Sequence, residues 1–203
     1  GGYHTGSFSL AVFDNRYKNF IETASLGRNI ATGLLTFQPR NLDKVRIYGA
    51  EFKGDLRLGQ WAGGSWSLLG SAAYAHGDNQ AADVPLDSVN PLKGVTGVRY
   101  QAGPDTGKRW GGELMVTHVA RKDRVSAPAS NPTPFRTPAY TTLDLLGFYN
   151  ITQRLTLNAG LFNLTDEKYW LWDVARGRTA SDPTLDRYTQ PGINASINVT
   201  YRL

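Results

Sequence analysis

The C-terminal stretch Ile193-Asn-Ala-Ser-Ile-Asn-Val-Thr-Tyr-Arg-Leu203 is the most informative part of this chain. Its odd-numbered residues are all apolar and its even-numbered residues are all polar. Because successive side chains of a strand point to opposite faces, the stretch predicts a β-strand with one apolar and one polar face. A soluble sandwich packs such an apolar face on a second sheet, whereas a transmembrane β-barrel turns it towards lipid.

An alternating charged row in residues 44–58 favours the barrel. Glu51, Lys53, Asp55 and Arg57 occupy four successive positions of one face, and apolar Phe52, Leu56 and Leu58 lie between or beside them. A buried unpaired charge costs several kcal/mol, roughly, so the dry core of a sandwich would not accept this row. A hydrated barrel lumen accepts it. The predicted fold is therefore an all-β, antiparallel transmembrane β-barrel.

The composition agrees with strands rather than helices in a membrane. Hydrophobic residues make up 40% of the chain and the mean hydropathy is −0.37, and no run approaches the roughly 18–20 apolar residues of a spanning helix. The absence of cysteine excludes disulfides, thiol catalysis and cysteine-ligated zinc. The net charge is +5, but the basic residues are dispersed, so nucleic acid is not a predicted partner. Residues 1–4 run into a strand without a secretory signal, so we expect a mature piece or an internal fragment.

The apolar alternation predicts eight strands, at residues 5–21, 44–58, 65–75, 92–101, 109–121, 139–149, 154–164 and 193–203. The connections between them alternate in length. Those at 22–43, 76–91, 122–138 and 165–191 are long, whereas those at 59–64, 102–108 and 150–153 are short. Outer-membrane barrels have short periplasmic turns and long external loops, so this order predicts a periplasmic C-terminus.

A search for chemistry in the sequence assigns no catalytic residue and no metal site, and the chain is predicted not to be an enzyme. His4, His76 and His118 lack zinc-binding spacing and are expected to be structural. The loop acids Asp78, Asp83 and Asp87 match no EF-hand pattern, so solvation is expected rather than calcium binding. Residues 103–109 differ from a phosphate-binding loop in spacing and are expected to form a turn. Residue types alone do not exclude a Ser/His/acid hydrolase, but nothing marks a nucleophile.

Residues 169–178 combine Tyr169, Trp170 and Trp172 with Arg176 and Arg178. One interpretation is an aromatic girdle and loop base, in which arginine meets lipopolysaccharide phosphates or lumen acids. The other is a wall over which a planar, anionic ligand passes. We expect the first for any single residue.

Several segments resemble the barrel of TonB-dependent outer-membrane receptors. Residues 86–100 are similar to a late barrel segment of that family, and residues 139–145 and 155–170 are similar to its closing strands. Residues 168–177 and 186–192 most resemble the haem and haemoglobin receptors within it. The general resemblance covers nearly the whole chain, whereas the haem subfamily rests mainly on the last two segments.

This resemblance implies that residues 1–203 are the C-terminal portion of a 22-strand barrel, without the plug domain. It implies that the family's haem-ligating histidines lie in the plug and in a loop between FRAP and NPNL boxes, neither of which is present here. Phe135-Arg-Thr-Pro138 is a near match to the first box, and it runs into a strand instead of that loop. No cofactor-binding residue is therefore assigned, and haem is expected only as the transported ligand of the intact receptor. Leu203 stands where the family usually has an aromatic residue.

The function implied is haem or haemoprotein iron uptake across the bacterial outer membrane. The implied partners are outer-membrane lipid and lipopolysaccharide, the barrel-assembly machinery, and the TonB complex through an N-terminal part that this chain lacks. A siderophore or cobalamin receptor of the same family is an alternative. A self-contained eight-strand barrel that acts as a porin, anchor or enzyme is a second one.

Overall fold

The computed structural model describes residues 5–29, 31–102 and 109–202, and strands dominate it. In chain order the strands are β1 (Gly6–Tyr17), β2 (Phe20–Arg28), β3 (Leu35–Leu42), β4 (Val45–Trp61), β5 (Gly64–Asn79), β6 (Val84–Pro85), β7 (Lys93–Ala102), β8 (Trp110–Val119), β9 (Tyr140–Asn150), β10 (Leu155–Phe162) and β11 (Asn194–Tyr201). A short helix, α1 (Trp172–Ala175), and a 3-10 helix (Leu185–Tyr188) lie between β10 and β11.

Eight strands form one antiparallel sheet in the order β1-β4-β5-β7-β8-β9-β10-β11, and the two-residue β6 adds to the long-loop end of β5. Each strand pairs with its neighbour in a hairpin-like up-and-down order, as the sequence predicts. In the described residues β1 pairs only with β4 and β11 only with β10, so the sheet is an open segment of barrel wall. This does not match the alternative of a self-contained eight-strand barrel, which would pair β1 with β11.

The predicted strand bounds are wrong chiefly in the first third of the chain. The strand predicted at 5–21 ends at Tyr17, and the loop predicted at 22–43 is largely a second hairpin, β2–β3, outside the main sheet. The strand predicted to end at Ala75 continues to Asn79, which places His76 inside β5. Neither β2 nor β3 alternates clearly, and β3 contains Pro39, so period alone does not reveal them.

The turn between β4 and β5 is much tighter than the predicted 59–64 connection. It consists of Ala62 and Gly63, whose φ angles are 53° and 75°, as a type I′ hairpin requires. A bulge between Arg57 and Gly59 precedes it. The bulge shifts the alternation by one residue, so that Trp61 shares a face with Trp66. The predicted short turn at 102–108 lies, from residue 103 onwards, outside the described residues.

Candidate functional site

The face of the sheet predicted to meet lipid carries a continuous apolar band. One row of directly paired residues runs across seven strands: Leu56, Leu68, Val98, Leu114, Leu145, Leu161 and Ala195. The six larger side chains of the row are 37–45% exposed, and nothing in the described chain covers them. An uncovered apolar face of this width is unfavourable in water and is the expected surface of a wall in lipid.

Aromatic residues edge this band at the short-turn end. The rings of Trp61 and Trp66 stack at 5.2 Å, Trp66 lies 4.8 Å from Tyr100, and Tyr100 lies 5.2 Å from Trp110. The Trp66 indole donates to the carbonyl of Trp61, and the Tyr100 hydroxyl donates to that of Ala62 at 2.8 Å. We call these four residues the aromatic ladder. Tryptophan and tyrosine with an apolar body and a bonded polar edge are typical of a membrane interface.

The band has the height of a hydrocarbon layer. Trp66 in the aromatic ladder and His76 near the long loops lie ten residues apart on β5. At roughly 3.3 Å per residue and a strand tilt of roughly 40°, this separation spans about 25 Å across the membrane. In the described part of this face, charged side chains begin only at the long-loop end of the band. They are His76 and Asp78 on β5 and residues at the same level on the paired strands. Among the described residues, no helix has both the length and the apolar character needed to cross a membrane.

The opposite face is polar, as the charged row predicts. The neighbours of Glu51, Lys53 and Asp55 on β1 and β5 are mostly small. They are Ser7, Ser9, Ala11, Ser71 and Ala73, with the larger Leu69 beside Asp55. On the same face Arg99 donates to Glu113 across β7 and β8 at 2.7 Å. This face is therefore suited to a hydrated interior and not to a dry core.

Among the described residues, seven of the eight buried hydrophobic residues lie at the long-loop end, and the eighth, Ala102, lies at the other end of β7. Val45, Leu86, Trp172 and Ala175 are at most 3% exposed, and Val125 packs at the same end. The Trp172 indole donates to the carbonyl of Asp87 at 2.6 Å. The long connections therefore fold on one another into a compact unit with its own small core. We call this unit, formed by β2–β3 and residues 80–92, 120–139 and 163–193, the loop cluster.

Hydrogen bonds tie the separate loops of the cluster together. The Asp87 carboxylate accepts from the backbone N–H of Ser126 at 2.8 Å and from its hydroxyl at 2.6 Å. The Glu22 carboxylate on β2 accepts from the N–H of Ser88 at 2.9 Å. The Ser25 hydroxyl donates to the carbonyl of Gly177 at 3.2 Å. These bonds join four connections that are distant in sequence, so they hold the loop cluster as one surface.

Lys122 is a buried cation inside the loop cluster. It is 5% exposed, its ammonium donates to the carbonyl of Val89, and it lies 5.1 Å from the centre of the Trp172 ring. Burial lowers the pKa of Lys122 to about 8, and the nearby Asp87 carboxylate opposes part of this change. Lysine is rarely buried without partners, so its protonation is linked to the packing of the loops around it.

Asn163 lies in the segment 155–170, which resembles the TonB-dependent receptors, and its hydrogen bonds show what that segment does in the fold. Its side-chain amide donates to the carbonyls of Glu167 at 2.9 Å and Pro191 at 3.1 Å, and its side-chain oxygen accepts from the N–H of Glu167 at 2.9 Å. Its own N–H donates to Asp144 at 2.8 Å. With 2% exposure and a φ of 52°, Asn163 fastens both ends of the last long loop to the wall.

Residues 169–178 belong largely to the loop cluster, so the expected aromatic girdle lies elsewhere. Trp172 is in the core, Trp170 donates to the carbonyl of Leu185, and the Tyr169 ring stacks on Tyr140 at 4.2 Å. Burial raises the pKa of the Tyr169 hydroxyl. The girdle of the described chain is the aromatic ladder at the opposite end, which sequence spacing alone did not single out because its members come from four strands.

The other candidate residues do not converge on one site. His76 lies 3.1 Å from Asp78, and His118 contacts Thr141 at 2.8 Å on the lipid-facing side. Asp78 and Asp87 bind different partners, and among described residues no group of three or more His, Cys, Asp or Glu side chains is placed to hold a metal ion. Phe135 contacts Trp170, with ring centres 5.5 Å apart. His4 and residues 103–108 lie outside the described part of the chain.

These features define the described chain as a wall segment of a membrane-spanning β-barrel. The wall has a lipid-facing band with an aromatic edge, a polar inner face and folded loops at one end. The particular family follows from comparison with known proteins. The chain belongs to the TonB dependent receptor-like β-barrel family, whose model matches residues 2–164.

Curated relatives cover nearly all of the chain. Hemoglobin-haptoglobin-binding protein A of Haemophilus influenzae is 28% identical over 97% of this chain and 21% of its own length. A hemoglobin and hemoglobin-haptoglobin-binding protein A of the same species is 31% identical over 84% of this chain and 17% of its own length. Hemoglobin-haptoglobin utilization protein B of Neisseria meningitidis serogroup C is 27% identical over 95% of this chain and 28% of its own length. The chain thus spans less than a third of these relatives.

Solved structures share the fold. The copper transporter OprC superposes with a TM-score of 0.76 at 23% identity, over 97% of this chain and 29% of that one. The ferric enterobactin receptor PfeA of Pseudomonas aeruginosa superposes with a TM-score of 0.61 at 23% identity. The superposition covers 96% of this chain and 28% of that one. At this identity the likeness bears on the fold and not on the ligand.

Proposed function

We propose that this chain is the C-terminal part of the barrel of an outer-membrane receptor that takes up haem from haemoglobin or a similar haemoprotein. The proposal is supported by the names of the relatives, all of which bind or use haemoglobin and align over most of the chain. The observation that carries it is the loop cluster, because a large rigid surface at one end of the wall fits capture of a protein ligand.

In this proposal the long-loop end faces the outside of the cell and the C-terminus faces the periplasm. The wall, the last strand and part of the ligand vestibule come from this chain, whereas energy coupling through TonB belongs to an N-terminal part of the same receptor. The chain contributes no catalytic group, and it acts as a receptor rather than an enzyme. The exposed apolar band supports a position of the wall within the membrane.

Whole cells that express the full-length protein provide the test. We expect them to bind haemoglobin and to grow on haemoglobin as the iron source, and we expect growth but not binding to require TonB. Replacing residues 165–191 with a short Gly-Ser linker should abolish haemoglobin binding while the barrel still inserts. The matched control changes Ala62-Gly63 to Asn-Gly, a turn of the same type at the other end, and should bind normally.

Siderophore or cobalamin uptake is the competing function within the family. The same cells supplied with a ferric siderophore, cobalamin or haemoglobin separate these possibilities. Growth on a siderophore with no binding of haemoglobin would overturn the haem proposal and leave the receptor class intact. Binding of haemoglobin equally by cells that lack the protein would also contradict it.

A further inference from the structure

The inner face of the wall divides into two sectors of different chemistry. On β1, β4 and β5 it carries the charged row and its small neighbours. On β8, β9 and β10 the inner positions alternate with residues of the lipid-facing row, and they include glycines and large apolar side chains. We call the part around Glu51 and Lys53 the charged sector, and the part around Leu146, Phe148 and Phe162 the apolar recess.

In the charged sector, charged side chains stand among small ones. Glu51, Lys53 and Asp55 form no ion pair within the part of the chain that the structure describes. A cleft of about 530 Å³ runs beside Glu51 and Lys53, and Ser71 and Lys93 are among its other lining residues. Because exposed charges keep their water whether or not another surface touches them, a contact with this sector is exchanged for water at little cost.

The apolar recess is a hollow of about 440 Å³ in the inner face of the wall. Its two aromatic rings lie close against glycine positions. A Cβ added to Gly160 would lie 2.7 Å from the Phe162 ring, and one added to Gly111 would lie 2.6 Å from the Phe148 ring. Leu146 and the two phenylalanines are half-buried, on a face that otherwise suits water. Apolar surface in such a place is unfavourable unless another surface covers it.

Polar groups border the apolar recess. Arg99 donates to Glu113 at 2.7 Å, and the Arg99 side chain is 42% exposed whereas that of Glu113 is 15% exposed. This bond uses one of the five N–H donors of the guanidinium. Asn158, Ser196 and Asn198 line the same hollow from β10 and β11. An apolar hollow with several donors and acceptors at its border fits a polypeptide segment, because an apolar side chain can enter while the backbone beside it bonds to the border.

The occupant that these observations favour is an N-terminal segment of the same receptor. The chain spans 21%, 17% and 28% of the lengths of the three relatives, so most of each relative lies outside the aligned part. Transporter barrels of 22 strands have a plugged lumen, which brings other parts of the polypeptide against the inner face. A haemoprotein is far larger than the hollow, and the hollow is lined by strands of the wall and not by the loop cluster.

We propose that the apolar recess keeps hold of this N-terminal segment during transport, whereas the passage for the ligand opens along the charged sector. The inference rests on the proposed function, in which TonB acts on an N-terminal part of the receptor. Detachment from the recess exposes apolar surface to water on both partners. Detachment from the charged sector leaves charges that water solvates, so force applied through TonB separates the two surfaces there first.

Photo-cross-linking in cells that express the full-length receptor tests this division. The photoreactive residue p-benzoylphenylalanine replaces Phe148, ring for ring, or Ala73, which lies opposite Glu51 in the charged sector. Without ligand, both positions should cross-link to the N-terminal part of the same receptor, which mass spectrometry of the products identifies. With haemoglobin and active TonB, the yield at position 73 should fall about threefold and the yield at position 148 should stay within about 1.5-fold, because only one of the two surfaces separates. Cells without TonB should show no change at either position.

A pair of tryptophan variants gives an independent measure. Ser71→Trp fills the charged sector, so uptake of haem from haemoglobin should fall about tenfold while haemoglobin binding at the cell surface is unchanged. The matched control Ala72→Trp places the same ring on the lipid-facing side of β5 and should leave both uptake and binding unchanged. Equal uptake by the two variants would contradict a passage along the charged sector.

Two cross-linking results would overturn the inference. One is a fall in yield at position 148 that equals or exceeds the fall at position 73. The other is a set of products from position 148 that never includes the N-terminal part. The proposed function fails separately: cells that take up a ferric siderophore and never bind haemoglobin would contradict the haem proposal alone, and the same comparison with that siderophore then decides this inference.

Discussion

The wall and the loop cluster of this chain obey opposite rules of burial. In the wall, most leucine and valine side chains point outwards and stay exposed, while charged Glu51 and Lys53 point inwards among small residues. In the loop cluster, Leu86 and Trp172 are buried and charged groups lie around them, as in a water-soluble protein. The same side chains are therefore stabilised by lipid in one region and by one another in the other. Substitutions of one residue type should have different effects in the two regions.

The largest expected effect separates two tryptophans. Trp172→Ala removes the main side chain of the loop core and should lower the free energy of unfolding of the loop cluster by about 3–5 kcal/mol. Trp110→Ala, in the aromatic ladder, removes a half-exposed ring and should have a clearly smaller effect. Hydrogen exchange of the full-length protein in lipid, followed in residues 80–92 and 120–139, measures the difference. Equal loss of protection in both variants would contradict a separate loop core.

An arginine placed on one face or the other of a single strand tests which face of the wall meets lipid. Leu114 lies midway along β8 on the apolar face, and Met115 lies on the inner face. Leu114→Arg should destabilise the full-length barrel by about 2–4 kcal/mol, the cost of arginine near the bilayer midplane. Met115→Arg should cost less than about 1 kcal/mol, since its side chain meets the hydrated interior. Denaturant unfolding from phospholipid vesicles gives both values, and a reversed order would refute the assignment of faces.

The junction between wall and loops depends on Asn163. Asn163→Ala removes four side-chain hydrogen bonds, three of them to backbone groups of Glu167 and Pro191, and should destabilise the junction by about 1–3 kcal/mol. Protection of residues 165–191 from hydrogen exchange should fall, whereas Asn158→Ala, in the middle of β10, should leave it intact. Asn163→Gly accepts the positive φ and should be milder than the alanine variant.

The smallest expected effect is a pH dependence confined to the loop cluster. The pKa of Lys122 is lowered to about 8 in the folded state, below its ordinary value near 10.5. The unfolded chain therefore binds more protons between these values, and the stability of the cluster should rise as the pH increases from about 8 to about 10. Lys122→Met should abolish this rise. Hydrogen exchange corrected for its intrinsic pH dependence provides the measurement, and the same slope in both proteins would exclude Lys122 as its cause.

Alternation within single strands predicts most of the wall. All eight predicted strands agree with the structure to within about four residues at each end, because the lipid and the lumen impose a period of two on each strand independently. The inward row from Glu51 to Arg57 and the outward Ile197 and Val199 lie on the predicted faces. The bulge at Arg57–Gly59 shifts the apolar–polar alternation locally, and the periodicity of the sequence does not predict it.

The loop cluster was not predictable in the same way. Trp172, Asp87 and Ser126 come from three connections, and Glu22 comes from a fourth. The β2–β3 hairpin lacks clear alternation and docks through Glu22, Ser25 and Gly27, which meet other loops. Periodicity and composition indicate whether one segment has an apolar face to bury. They do not indicate which distant segment packs against it.

The amino-acid sequence by itself determined which residues meet lipid and which meet water, because that choice is made strand by strand through the pleat. It also carried the likeness to the receptor family. Only the tertiary structure brought the four rings of the aromatic ladder to one edge and four loops to one core. Cross-strand register and loop packing join residues that are far apart in the chain, and these long-range contacts exist only once the strands have paired.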